Sequence, residues 1–232
     1  MASDAVTVEQ SGAVAVVHID DGKANALGPA VLAAIQAAVL AAEADQSTSA
    51  VVLHGRPGVF SGGFDLNVMK AGDMSAVTSM VSGGGELVRT CYGAGIPVVA
   101  ACTGHAVAAG ALVLLGCDLR IGRDTNARIG LPEVNIQMVL PHWALTIAKD
   151  RLSRRHLQQA VVHGKMYESQ SAVDAGFLDE VVPATDVLDT AIAQAAAIIE
   201  PMHLPSYAGS VERLRGEVLA TMDAQIAADR AG

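Results

Sequence analysis

The chain has 232 residues, of which 51% are apolar and only 3% aromatic, and it carries a formal net charge of −9. That length suits one domain, or one domain with a helical appendage, and the apolar share is enough for a large core. The negative balance argues against nucleic acid or an anionic membrane as an obligatory partner. An anionic ligand can still be held by backbone amides and a few local cations.

The first ten residues, MASDAVTVEQ, have neither a basic region nor an apolar core of the kind that directs secretion, so a soluble, cytoplasmic protein is expected. A strand is predicted over Val14–Ile19. The Ala-rich stretch Pro29–Ala44 follows, with Val31, Leu32, Ile35, Val39 and Leu40 at helical spacing and Pro29 in a first-turn position. Next come a strand over Ala50–His54, a helix over Met74–Tyr92 and a strand over Val98–Cys102. Pro97–Cys117 is long and apolar enough to cross a membrane, but Thr103-Gly104-His105 breaks it and Asp118 and Arg120 follow it directly. A buried strand, a turn and a buried helix over Ala109–Leu115 are expected there instead. Asp118–Ile121 and a shorter segment, Leu178–Val182, complete the strands. Beyond Leu140 the pattern is helical: Arg151–Val162, Glu168–Ala175, Val187–Ile199 and Val211–Ala228. The expectation is an α/β layered fold with parallel pairing over residues 1–185 and a helical region over 186–232, in one compact unit. Cys91, Cys102 and Cys117 have no metal or redox spacing and read as buried small hydrophobes.

Two glycine-rich turns stand out. Val59-Phe60-Ser61-Gly62-Gly63-Phe64-Asp65-Leu66 follows the second strand, and Gly104-His105-Ala106-Val107-Ala108-Ala109-Gly110-Ala111 leads into the buried helix. Glycine permits close approach of a ligand to main-chain N–H groups, and a helix start offers unpaired donors. Each alone reads equally as a tight turn. Together they suggest two N–H groups converging on one oxygen, the requirement of an oxyanion hole. Neither has the spacing of a nucleotide-binding loop. Glu133, in Gly130-Leu131-Pro132-Glu133-Val134, is surrounded by apolar residues. It reads either as a first-turn helix residue favoured by the dipole or as a desolvated carboxylate suited to moving protons beside a carbonyl.

From about Val14 to Val182 these segments resemble the crotonase, or enoyl-CoA hydratase/isomerase, superfamily. The resemblance rests on Lys23-Ala24-Asn25-Ala26-Leu27, on Val59–Leu66 against F-S-x-G-x-D-L, on the run Pro97–Ile121, on Gly130–Glu133 against G-x-x-E, and on Ser171–Val182. It implies a ββα spiral core and a homotrimer or a hexamer (dimer of trimers). It implies an acyl-coenzyme A thioester as ligand, with no metal and no cofactor beyond the coenzyme A of the substrate. By position, the amides of Phe64 and Ala109 would hold the thioester oxygen, and many relatives carry Gly where Ala109 stands. Removing one such donor costs on the order of 3 kcal/mol in the barrier. Glu133 would be the acid/base. Lys23, Ala24 and Leu27, then Gly62, Asp65 and Leu66, then Gly110, Leu112 and Trp143 would line the coenzyme A and acyl sites.

Hydratases of the family resemble one another in having two glutamates, and where the first should fall this chain has Leu112. Losing one acid–base group should slow hydration by roughly 10²–10⁴. A single carboxylate suffices to shift a double bond from the 3- to the 2-position, and the segments around Glu133 and Pro141-His142-Trp143 look closer to Δ3,Δ2-enoyl-CoA isomerases. An enoyl-CoA hydratase and a non-catalytic acyl-CoA-binding protein are the alternatives. His105 and His142 read as proton shuttles or packing residues, Asp65 as a fixer of its own loop or a ligand contact. Lys23 and Lys70 read as phosphate partners or solvated surface, Asp118 and Arg120 as structural ion-pair residues, and Trp143 as core or pocket wall.

Overall fold

The computed structural model describes residues 4–231. An antiparallel hairpin, β1 (Val6–Ser11) and β2 (Val14–Ile19), opens the chain, and β3 (Ala26–Leu27) leads into α1 (Pro29–Ala44). The next unit is β4 (Ala50–Gly55), β5 (Gly58–Ser61) and β6 (Gly63–Phe64), followed by α2 (Leu66–Lys70) and α3 (Met74–Gly93). β7 (Val98–Cys102) turns into β8 (Gly104–Val107) and α4 (Ala109–Gly116). β9 (Leu119–Arg123) turns into β10 (Ile129–Gly130), a 3₁₀ turn at Glu133–Ile136 and α5 (His142–Arg151). Last come α6 (Arg154–Leu157), continued by a π-helical segment at Gln158–Val162, then α7 (Ser169–Ala175), β11 (Glu180–Val182), α8 (Val187–Ile199) and α9 (Leu204–Ala231).

Each unit thus sends one strand to a main sheet and the next to a smaller one before a helix returns the chain. The main sheet runs β1-β2-β4-β7-β9-β11, parallel from β2 onward. The smaller sheet runs β10-β8-β5, and β3 pairs with β6. This repeated strand–strand–helix turn is the ββα spiral that the sequence resemblance implies. Both faces of the main sheet are covered, as a parallel sheet requires. Ala15, Val17, Val51 and Leu53 belong to the larger core with α1, α3 and α4, whereas Val14, Val16, Ala50 and Val52 pack under α8.

The helical end is fastened by charge. Asp118, just before β9, accepts from the Arg215 guanidinium at 2.6 Å, from the Tyr207 hydroxyl at 3.1 Å and from the Val98 amide at 2.8 Å. Arg120 makes a two-pronged pair with Asp179 at 2.7 and 2.8 Å. Asp118 and Arg120 therefore each hold a partner from later in the chain.

The main strands lie where the sequence places them, Asp118–Ile121 shifting to Leu119–Arg123 and Leu178–Val182 shortening to Glu180–Val182. Three expectations are corrected. Arg151–Val162 is not one helix: Arg151 ends α5, extended backbone at Leu152 and Ser153 turns the chain, and α6 starts anew at Arg154. The last helix begins at Leu204 rather than Val211. Gly104–Val107 is not a break after β7 but a strand of the second sheet. Among the described residues, no helix is long and apolar enough to cross a membrane, and no cluster of His, Cys, Asp and Glu could hold a metal ion. The three thiols are buried, and burial pushes Cys91 and Cys102 up to about 12.

Candidate active site

The site grows from the turn between β2 and β3. Asn25, with φ 50° and wholly buried, donates from Nδ2 to the Ile19 carbonyl at 2.7 Å and to the Phe60 carbonyl at 3.2 Å. Its own carbonyl accepts from the Ser61 hydroxyl at 2.8 Å, and that hydroxyl accepts from the Gly63 amide at 3.1 Å. One residue earlier, the Ala24 carbonyl accepts from the Gly62 amide at 2.8 Å. This fixes Lys23 and Ala24, both exposed, beside exposed Gly62.

The two glycine turns meet directly. A β-carbon on Gly63, which has φ +96°, would lie 2.9 Å from the Val107 carbonyl oxygen, 3.1 Å from the Ala108 side chain and 3.5 Å from the Ala109 amide nitrogen. A β-carbon on Gly110 would meet the Ser61 carbonyl oxygen at 2.5 Å. Only bare backbone lets the turn bearing Phe64 abut the start of α4 bearing Ala109. Ala108, before that helix, has φ 53° and ψ −123°, close to the first central position of a type II′ turn, which glycine normally fills. This ψ fixes the plane of the Ala108–Ala109 peptide, and so the direction of the Ala109 N–H. Holding a non-glycine residue there costs on the order of 1–3 kcal/mol, a cost typical of functional sites.

Glu133 joins the same neighbourhood through β10. Gly130 lies beside Val107 in the small sheet, and its carbonyl accepts from the Ala108 amide at 2.9 Å, three residues before Glu133. The Glu133 carboxyl is buried (7% exposed), and its Oε2 has no hydrogen-bond partner among the described residues. Burial raises it from 4.5 to about 7, against a small opposing pull from its own backbone N–H. It opens onto an apolar cleft of about 240 Å³ walled by Val134, Met138, Val139, Leu140, Leu145 and the π-helical Val161 and Val162. Leu112, in the first turn of α4, is sealed in the core at 1% exposure and offers no polar atom.

The remaining residues divide by burial. Asp65 caps α2 by accepting from the Asn67 amide at 2.8 Å, and Leu66 is 58% exposed. Leu27 and Trp143 are enclosed in the core, Trp143 against Gly85 of α3 and Ile226 of α9. His105 accepts the Arg128 amide at Nδ1, 3.0 Å, and His142 is exposed at the start of α5. Lys70 is exposed. Ser61 and Asn25 pass through the motifs without drawing notice as residues, yet they hold the Gly62–Gly63 turn. The strained Ala108 carries no sequence signal, because alanine rarely occupies that backbone region.

Comparison with known proteins agrees with this architecture. The enoyl-CoA hydratase/isomerase family pattern matches residues 9–230, and the chain belongs to that family of enzymes. It is 32% identical over 206 residues to human mitochondrial enoyl-CoA delta isomerase 1, covering 88% of this chain and 67% of the human one. It is 29% identical to the 2,3-dehydroadipyl-CoA hydratase of Escherichia coli K12, covering 89% of this chain and 79% of that enzyme. A Mycobacterium tuberculosis protein, described as an enoyl-CoA isomerase in one structure and a probable enoyl-CoA hydratase in another, superposes with TM-scores of 0.92 and 0.93. In the first it is 36% identical, and the match covers 98% of both chains. The chain spans about two thirds of the length of the mammalian isomerases it matches, at 67%, 64% and 66%.

Proposed function

We propose that the protein shifts the double bond of a 3-enoyl-CoA to the 2-position, with Glu133 as the only acid/base. The observation that carries this reading is a buried carboxyl in an apolar cleft, its Oε2 without a hydrogen-bond partner among the described residues, with leucine rather than a second carboxylate at position 112. The Phe64 and Ala109 amides hold the thioester oxygen. Glu133, as carboxylate, takes a proton from the carbon between the thioester carbonyl and the double bond. The electron pair spreads into a dienolate whose oxygen is held by the two amides. The same carboxyl then returns the proton to the far carbon of the former double bond, so nothing is gained or lost overall. A carboxyl near neutrality can take and give that proton at comparable cost. Coenzyme A enters as part of the substrate along Lys23, Ala24 and Gly62, and no other cofactor is required. A homotrimer or a dimer of trimers is the assembly proposed with it.

Hydration is the second reading, favoured by relatives named as hydratases, such as the E. coli enzyme. A paired assay separates them: 3-hexenoyl-CoA isomerisation and crotonyl-CoA hydration, on the natural protein and on Glu133→Gln. Isomerisation that disappears in the variant, with negligible hydration throughout, supports the first reading. Efficient hydration of crotonyl-CoA with no isomerisation overturns it. Ligand affinity without either turnover leaves a binding protein.

A further inference from the structure

The cleft beside Glu133 does not end at its own walls. Leu145, Val161 and Val162 also line a second apolar hollow of about 330 Å³, so the two adjoin along these three side chains and together outline a groove. Lys149 and Arg154 line the second hollow and not the one beside Glu133. Both are exposed, and neither makes an ion pair or hydrogen bond among the described residues. Among the other cations, Arg56, Arg89, Arg120, Arg215 and Arg230 have carboxylate partners, while Lys23, Lys70, Arg128, Arg155 and Arg213 have none among the described residues; what sets Lys149 and Arg154 apart is their place on an apolar hollow. Lys149 sits in the last turn of α5, where a helix favours a cation, but Arg154 opens α6, where it does not. Helix stability therefore does not account for Arg154.

We infer that this groove takes an acyl chain ending in a carboxylate, the thioester of a dicarboxylic acid, with Lys149 and Arg154 holding its free end. The assignment rests on the reading of Glu133 as the residue beside the reacting carbons. The methylene stretch covers Leu145, Val161 and Val162, removing apolar surface from water. The terminal carboxylate stays at the open, solvated end, so no charge is stripped of water when it meets the two cations. A methyl-terminated chain of equal length fills the same groove but gains nothing from them.

The test uses saturated thioesters, which undergo no isomerisation, so that it stays separate from the reaction. Affinities of the full chain for octanedioyl-CoA and octanoyl-CoA are measured by calorimetry at low and high salt. The diacid thioester is expected to bind about fivefold more tightly at low salt, a solvent-screened ion-pair effect. The preference should shrink as salt rises. It should vanish in the Lys149→Gln/Arg154→Gln variant with octanoyl-CoA affinity unchanged, and persist in Lys149→Arg. Equal affinities in the natural protein, or a preference that survives the double variant, overturn the assignment. So does a double variant that merely changes the oligomeric state, which would give the groove to a second copy of the chain. A salt-sensitive preference without 3-hexenoyl-CoA isomerisation would sink the proposed reaction but keep this site. Isomerisation without the preference does the reverse.

Discussion

The ring of Phe64 rests on the backbone of Gly84: a β-carbon at position 84 would lie 2.6 Å from two of the ring carbons. A helix-interior glycine costs about 1 kcal/mol relative to alanine. Its place in the middle of α3 is accounted for by the seat it gives the residue that follows Gly63, where the turn abuts the start of α4.

Gly84→Ala should therefore separate stability from activity. The helix gains propensity while the ring is pushed aside, so the melting temperature should move little. The Phe64 amide moves with its ring, and displacement of this kind should lower kcat by roughly ten- to a hundredfold. Steady-state kinetics beside a thermal melt checks this, and unchanged kcat would mean that the ring yields without its backbone.

The Glu133 carboxyl makes stability depend on pH. Its folded value of about 7 lies above the ordinary 4.5, so the folded chain holds a proton that the unfolded chain releases. The cost of ionising it inside the protein is absent below about pH 4.5, grows through the interval and is complete above about pH 7. It amounts to as much as about 3 kcal/mol. Glu133→Gln should stabilise the protein at pH 8 and leave it nearly unchanged at pH 4.5, while turnover is lost at both. Urea titrations at the two pH values read the difference. In the natural protein, turnover should rise with pH around a midpoint near 7, since the base form is the ionised one.

Ala108→Gly should raise stability by about 1 kcal/mol. Relief of the positive-φ strain is worth on the order of 1–3 kcal/mol and is partly offset by the freedom glycine gives the unfolded chain. Ala108→Val should do the opposite, since a branched side chain tolerates that backbone least. Chemical denaturation of both variants measures the pair.

Asp179→Ala should cost about 3 kcal/mol, because it leaves the Arg120 guanidinium, 5% exposed, without its carboxylate. The adjoining edge of the main sheet should become the first to exchange its amide hydrogens.

The strands of the main sheet are legible in the sequence because a parallel strand covered on both faces must be apolar throughout, as Ala50–Leu53 and Val98–Cys102 are. β1 escapes notice for the opposite reason: it is an edge strand with Thr7, Val8, Glu9 and Gln10 all exposed. The second sheet consists of strands of two to four residues, too short to show a period. The turn after α5 has no Gly or Pro to mark it, since Leu152 and Ser153 occupy it. At the site, the two glycine turns and the apolar setting of Glu133 can be read from the chain. The seat of Phe64 on Gly84, the strained Ala108 and the cations beside the second hollow depend on contacts between distant segments, which no local pattern encodes.

The strand order of the main sheet follows chain order without a single insertion, from β1 to β11. Each new strand is laid at the one edge still growing, so the sheet can be built as the polypeptide leaves the ribosome, with no earlier pair prised apart to admit a later strand. Its last edge closes only with Glu180–Val182, and Arg215 reaches Asp118 later still. The hairpin, the glycine turns and Glu133 all precede these closing contacts in the chain, so they leave the ribosome before the helices that fasten the last edge.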